Sequence, residues 1–278
     1  MSAVDNSPLE GVELRYVEIP GGPLATLDTG PGSRGTVLLV PGFTGSKEDF
    51  RLLLRPLAAA GFRAVAIDQR GQHDSAGPDD ETAYGTEVLG ADLLHVAKAL
   101  GDGPVHLVGH SFGGLVGRAA VLQDSTAFRS FVLMDSGPRG LTGPRADVLP
   151  FMRQILLDGG LEAVWDAAQS LPPNPDKPAV TAEVQDFLRA RMLGNTPTAL
   201  MAMADSLTSE PDLVDELRAT RVPLLVMYGE HDDAWSPQQQ AEMAARLGCP
   251  TVVVERAWHS PAAEEPEQTV AGLLGFLT

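Results

Sequence analysis

Cysteine is nearly absent. The 278 residues contain one, Cys249, so an internal disulfide is excluded. That fits a reducing compartment. Cys249 sits in "RLGCP" with no histidine beside it in the sequence, and it reads as a structural thiol. Basic residues are also scarce, with 20 Lys and Arg against 37 Asp and Glu, for a formal net charge of −17. Nucleic acids and anionic membrane surfaces both call for basic patches, so neither is an expected partner. No apolar run approaches the ~18 residues that suggest a membrane span. The opening "MSAVDNSPLEG" lacks the basic start and apolar run of a signal peptide, so the expected location is the cytoplasm.

Apolar residues make up 44% of the chain, enough for one large α/β domain or a core domain with an insertion. Short, almost wholly apolar runs recur: "TVLLV" (36–40), "RAVAI" (63–67), "VHLV" (105–108), "FVLM" (131–134), "LLVMY" (224–228) and "TVVV" (251–254). Such runs suit strands buried on both faces of a parallel sheet. "VELRYVEI" and "LATLDT" predict an opening strand pair, and helical spacing over 49–60, 87–100, 112–122, 236–246 and 266–277 separates the later strands. Alternating units of this kind predict an α/β fold with a mostly parallel sheet. From about Gly140 to Thr220 the rhythm stops. Three helical patterns, broken by "PPNPDKP" (172–178), replace the strands. About 80 residues far exceed an ordinary connection, so 140–220 is expected to form a helical lid over a core made of 1–139 and 221–278.

Glycine is crowded at one place. In "VHLVGHSFGGLVGRAAV", Gly109 and Gly113 flank Ser111, between a buried strand and a helix. A serine on so tight a strand-to-helix turn is held up and exposed on strained backbone, and larger residues two positions away would collide. Its hydroxyl becomes a nucleophile only when a base takes the proton. Of six histidines, His95 and His106 fall in a helix and a strand. His110 is next to the serine, where side chains diverge, and His73 is in a polar loop. His259, in the loop after the last strand, fits best, because open α/β sheets gather functional loops at strand C-terminal ends. A carboxylate must orient the imidazole. Asp232 and Asp233 in "YGEHDDAW" both qualify, and Asp135 after "FVLM" is a third candidate. His231, Asp232, Asp233 and His259 could instead hold a metal, but the serine turn would then be unexplained. Donors for an oxyanion are expected from the N–H groups of Phe112 and Phe43, with Gly42 allowing close approach of the "LLVPGFTGS" loop.

Taken together, "PGF", "DQRGQHDS", "GHSFGG", "YGEHD" and "AWHSP" resemble the α/β-hydrolase superfamily over nearly the whole chain. The resemblance implies an eight-stranded, mostly parallel sheet flanked by helices, with a helical cap inserted after the sixth strand. It implies Ser111 as nucleophile, Asp232 as acid, His259 as base, and Phe43 and Phe112 as oxyanion donors. The chain departs from the family in having Pro41-Gly42 where many members have His-Gly. Spacing from the glycine favours Asp232, and spacing to the following proline suits Asp233. Members that dehalogenate or open epoxides carry an aspartate nucleophile, against which Ser111 argues. The expected activity is carboxylic-ester hydrolysis, of the carboxylesterase or lipase kind, on a small, mainly apolar substrate, with no cofactor and no metal. Acyl transfer with the same residues, or a non-catalytic receptor on the same scaffold, are the alternatives. The insertion is rich in large apolar residues, and Trp165, Met192 and Met201, with Trp235 beyond it, are the expected substrate contacts.

Overall fold

A computed structural model describes residues 9–171, 176 and 179–277. The strands are β1 (Glu13–Val17), β2 (Leu24–Asp28), β3 (Thr36–Val40), β4 (Arg63–Ile67), β5 (Val105–His110), β6 (Phe128–Met134), β7 (Leu224–Gly229) and β8 (Thr251–Val254). They form one sheet in the order β1-β2-β4-β3-β5-β6-β7-β8. β1 and β2 pair antiparallel, as do β2 and β4; every other pairing is parallel. This is the expected eight-stranded, mostly parallel α/β sheet.

Helices α1 (Arg51–Ala59), α2 (Thr86–Leu100) and α3 (Phe112–Gln123) fall among the first six strands. Helices α4 (Pro144–Asp147), α5 (Leu149–Ser170), α6 (Ala182–Leu193), α7 (Pro197–Ser209) and α8 (Val214–Ala219) fill the chain between β6 and β7, with no strand among the described residues there. Helices α9 (Pro237–Leu247), α10 (Pro261–Glu264) and α11 (Pro266–Phe276) complete the chain. Two differences from the sequence reading stand out. The pattern over 147–171 is interrupted at Gly160, whose φ of 72° breaks α5 into two segments, and α8 had no predicted counterpart. The first eight residues, and all of the "PPNPDKP" break except Asp176, lie outside the described residues.

Alternation along the strands explains the two core layers. Leu38 and Val40 of β3 face one side with Leu89 and Leu93 of α2 and Leu115 and Val116 of α3. Val37 and Leu39 face the other with Leu53, Leu54 and Leu57 of α1 and Leu273 of α11. Both faces of the central strands are therefore dry, which is why their runs carry so little polarity. All six parallel strands end on one edge, and that edge carries the loops of the site.

Two histidines of β5 are exceptions to the apolar rule. His106 is buried against Phe62, with Nδ1 bonded to the Ser130 hydroxyl at 2.7 Å. Burial, with Arg129 and Arg34 nearby, pushes its pKa down to about 4. Burial and the neighbouring His259 do the same to His110. Both folded imidazoles stay neutral where unfolded ones, titrating near ~6.5, take up a proton. The unfolded chain binds more protons between these values, so stability is present in full above about pH 6.5 and is lost as pH falls towards 4. We expect a loss of about 1–2 kcal/mol for each histidine between pH 7 and pH 5. Urea unfolding at the two pH values measures it. The buried Asp68 carboxyl, raised to about 7, contributes in the opposite direction over the same range, so the comparison is with the parent. His106→Gln should lose about 1–2 kcal/mol less than the parent between the two pH values, and an unchanged pH dependence in that variant contradicts the assignment.

Candidate active site

Ser111 stands alone between the end of β5 and the start of α3, with φ 54° and ψ −121°. A non-glycine residue in such a region costs about 1–3 kcal/mol and persists only where its surroundings impose it. The surroundings here are specific. The Ser111 N–H donates to the Met134 carbonyl at 2.8 Å, and the Gly114 N–H donates to the Ser111 carbonyl at 2.9 Å. A Cβ on Gly109 would fall on the Gly113 carbonyl, so the strand end and the first helical turn pack this closely only without side chains.

The loop after β8 brings His259 to the serine. Its Nε2 lies 2.9 Å from Ser111 Oγ, and its Nδ1 lies 2.8 Å from Asp232 Oδ1. Asp232, on the loop after β7, has a fully buried side chain. It accepts two further bonds, from the Ala234 N–H at 2.9 Å and from Gln240 Nε2 of α9 at 2.6 Å. A carboxylate only accepts, so the His259 proton sits on Nδ1 and the lone pair of Nε2 faces the serine hydroxyl. His110, kept neutral by burial, donates from Nε2 to the His259 carbonyl at 2.6 Å and pins the backbone of that loop.

The other two acid candidates are placed differently. Asp233 turns outward to pair with Arg145 of α4 at 2.8 Å. Asp135 is fully buried behind Asp232. His231 packs on Trp258 instead, so the quartet considered for a metal does not converge on one point.

Phe112 is the first residue of α3, and its N–H is among the leading amides that no helical carbonyl reaches. Phe43 lies on the loop after β3, half-buried in the cavity wall. A Cβ on Gly42 would come within 2.9 Å of Ser111 Cβ, so glycine lets that loop close on the serine. Two glutamines of the "DQRGQHDS" segment hold the loop. Gln69 Nε2 donates to the Pro41 carbonyl at 2.9 Å and Gln72 Nε2 to the Gly42 carbonyl at 2.8 Å. Beneath them Lys47, itself buried, binds Glu48, Asp68 and Asp74 at 2.9, 2.8 and 2.7 Å. Burial, above all, pushes the Asp68 carboxyl up to about 7.

Above Ser111 is a cavity of about 540 Å³. Phe43, Ala234 and Trp235 face Leu141, Val148, Leu149, Ala168 and Leu207 of the chain between β6 and β7, and Arg145 and Arg191 also reach the wall. Trp235 is thus at the cavity, with Nε1 donating to the Arg139 carbonyl at 3.1 Å. The other three expected contacts are elsewhere. Met192 and Met201 pack on Leu156, Val164 and Leu200 among α5, α6 and α7, and half-buried Trp165 is not in the cavity wall. A second cavity of about 320 Å³ lies beyond His110, between α6 (Val184, Leu188) and α10 (Ala262, Ala263). Asp49, His110, Arg191, Ser260 and Glu264 line both cavities, so the two adjoin. Sequence reasoning missed Gln240 and the arginines. Gln240 is one residue on an amphipathic helix, and nothing local marks it.

Comparison with known proteins agrees with this architecture. A model of the alpha/beta hydrolase family matches residues 37–272. The chain belongs to the alpha/beta hydrolase family, and it is an enzyme. It is 26% identical over 263 residues to a Bacillus subtilis protein assigned as a 2-succinyl-6-hydroxy-2,4-cyclohexadiene-1-carboxylate synthase, covering 91% of this chain and 94% of that one. It is 29% identical over 217 residues to the N-formylmaleamate deformylase of Pseudomonas putida, covering 76% and 77%. Among solved structures, a thermophilic esterase from Thermogutta terrifontis superposes with a TM-score of 0.77 at 25% identity, covering 95% of this chain and 98% of that one. No helix among the described residues is long and apolar enough to cross a membrane.

The geometry separates the two adjacent aspartates. Asp232→Asn should lower kcat by about two to four orders of magnitude, because the imidazole loses the acceptor that fixes its tautomer. Asp233→Asn weakens a partly exposed ion pair with Arg145, away from the imidazole, and should stay within about threefold. Steady-state kinetics on one activated ester compares them, and a larger loss in the Asp233 variant would reverse the assignment.

Proposed function

We propose that the enzyme hydrolyses carboxylic esters of small, mainly apolar substrates through an acyl-enzyme on Ser111. The observation that carries this reading is the continuous hydrogen-bonded line from Ser111 Oγ through His259 to Asp232, set on a strained turn at the start of α3. In the forward step Ser111 Oγ bonds to the ester carbonyl carbon while His259 Nε2 takes the hydroxyl proton. The carbonyl oxygen becomes an oxyanion, to which the Phe112 and Phe43 N–H groups donate. Collapse breaks the bond to the alkoxy group, which leaves with the proton from His259. Water then attacks the acyl-enzyme by the same route and releases the acid and free serine.

In this reading residues 140–220 form a cap over a core of 1–139 and 221–278. The cap supplies the apolar wall of Leu141, Val148, Leu149 and Leu207 opposite Trp235. The adjoining cavity gives the substrate a second compartment, walled by Val184, Leu188, Ala262 and Ala263 and polar where it meets the first, so one side of the ester occupies each. The esterase resemblance supports the bond type, and Ser111 supports acyl chemistry over reactions that begin at an aspartate.

A series of simple esters from acetate upward tests the substrate class. Each added acyl methylene that enters the wall should contribute up to ~0.8 kcal/mol, about fourfold in kcat/KM, until the compartment fills and the value falls. Ser111→Ala should abolish turnover of every member. A steady preference for acetate, or turnover that survives Ser111→Ala, contradicts the proposal.

A further inference from the structure

Asp135 takes no part in the line of groups above, yet its carboxyl is as deeply buried as that of Asp232. Asp135 follows β6 directly with φ 46°, its N–H donates to the Met227 carbonyl at 2.8 Å, and it has no accessible surface. Its carboxyl lies beside Asp232 and His259, with one polar atom of each within 4.8 Å of the others. Two carboxyls buried so closely cannot both be ionised. The donors around them decide which one carries the proton. Asp232 receives three: His259 Nδ1–H, the Ala234 N–H and Gln240 Nε2. Asp135 receives one, the Gly229 N–H at 2.9 Å on Oδ1, while Oδ2 is buried with no donor at all. Donors favour the charged form, so the charge belongs on Asp232 and the proton on Asp135.

We propose that Asp135 is a positioning residue, whose protonated carboxyl donates a hydrogen bond to Asp232 and holds it against His259. The inference rests on the triad reading above. Burial, and then the charge of Asp232, raise the Asp135 carboxyl well above the usual range, in the same direction as the donor count. Glu264 adds to that push, and His259 is the imidazole at the other end of the pair.

Asparagine keeps a donor at this position without any charge, whereas alanine removes both. Asp135→Asn should therefore keep kcat/KM within about threefold and leave its acid limb within about 0.3 pH unit of the parent. Asp135→Ala should lower kcat about tenfold or more at similar KM, and should raise the acid limb as Asp232 becomes more basic. If Asp135 were ionised, the Asn variant would remove a charge beside His259, and the limb would drop by about one pH unit. That result overturns the proposal. So does an Ala variant that is less stable to urea but keeps the parent kcat and limb, because the role would then be structural only. NMR titration of the His259 imidazole in the same variants needs no substrate. It follows the same shifts if the ester reading fails, so the two failures are told apart.

Discussion

The site depends on one conformational constraint, the left-handed backbone of Ser111 at the junction of β5 and α3. Nothing local favours it. It is imposed by a strand whose six residues are all buried, by a helix that begins at once, and by the bond from the Ser111 amide to the end of β6. Asp135, at the end of β6, is left-handed as well and is bonded to β7. Neighbouring strand ends thus hold one another, and the dry sheet below offsets strain of about 1–3 kcal/mol at each. A loop alone could not hold a hydroxyl within 2.9 Å of an imidazole supplied from about 150 residues away.

Burial then decides the protonation states. His110 is neutral because it is enclosed, so its Nε2–H is free to anchor the His259 loop. Asp232 can be charged in the interior because three donors replace water around it. The loop that carries Phe43 is fixed in the same manner by Gln69 and Gln72 over the buried Lys47 cluster. Each arrangement places a polar group where it costs most to leave unsatisfied, which makes the geometry rigid before substrate arrives.

How much of this was legible in the sequence follows from the range of each signal. Strands β3 to β7 were readable as apolar runs because both faces of the sheet are covered there; β8 carries the same kind of run but is the sheet edge, with Thr251 and Val253 exposed. Ser111 was readable because the glycines that permit its turn are two residues away, and His259 and Asp232 because strand ends share one edge. The cavity wall was not readable. Trp165, Met192 and Met201 stood out for size and flexibility, but α5 is broken at Gly160, and the methionines, Met192 on α6 and Met201 on α7, pack with Leu156 and Val164 of α5. The residues that do reach the cavity, Leu141, the adjacent Val148 and Leu149, and Leu207, belong to three separate stretches, and only packing brings them together. Gln240 and Arg191 were missed for the same reason.

The central claim is that one serine, activated by its surroundings, is the nucleophile. The most direct measurement is covalent labelling of the intact protein with a fluorophosphonate, followed by peptide mass mapping. A single adduct is predicted, on the peptide containing Ser111, and it should be absent from Ser111→Ala and strongly slowed in His259→Ala. An adduct on another residue, or undiminished labelling of Ser111→Ala, would contradict the account.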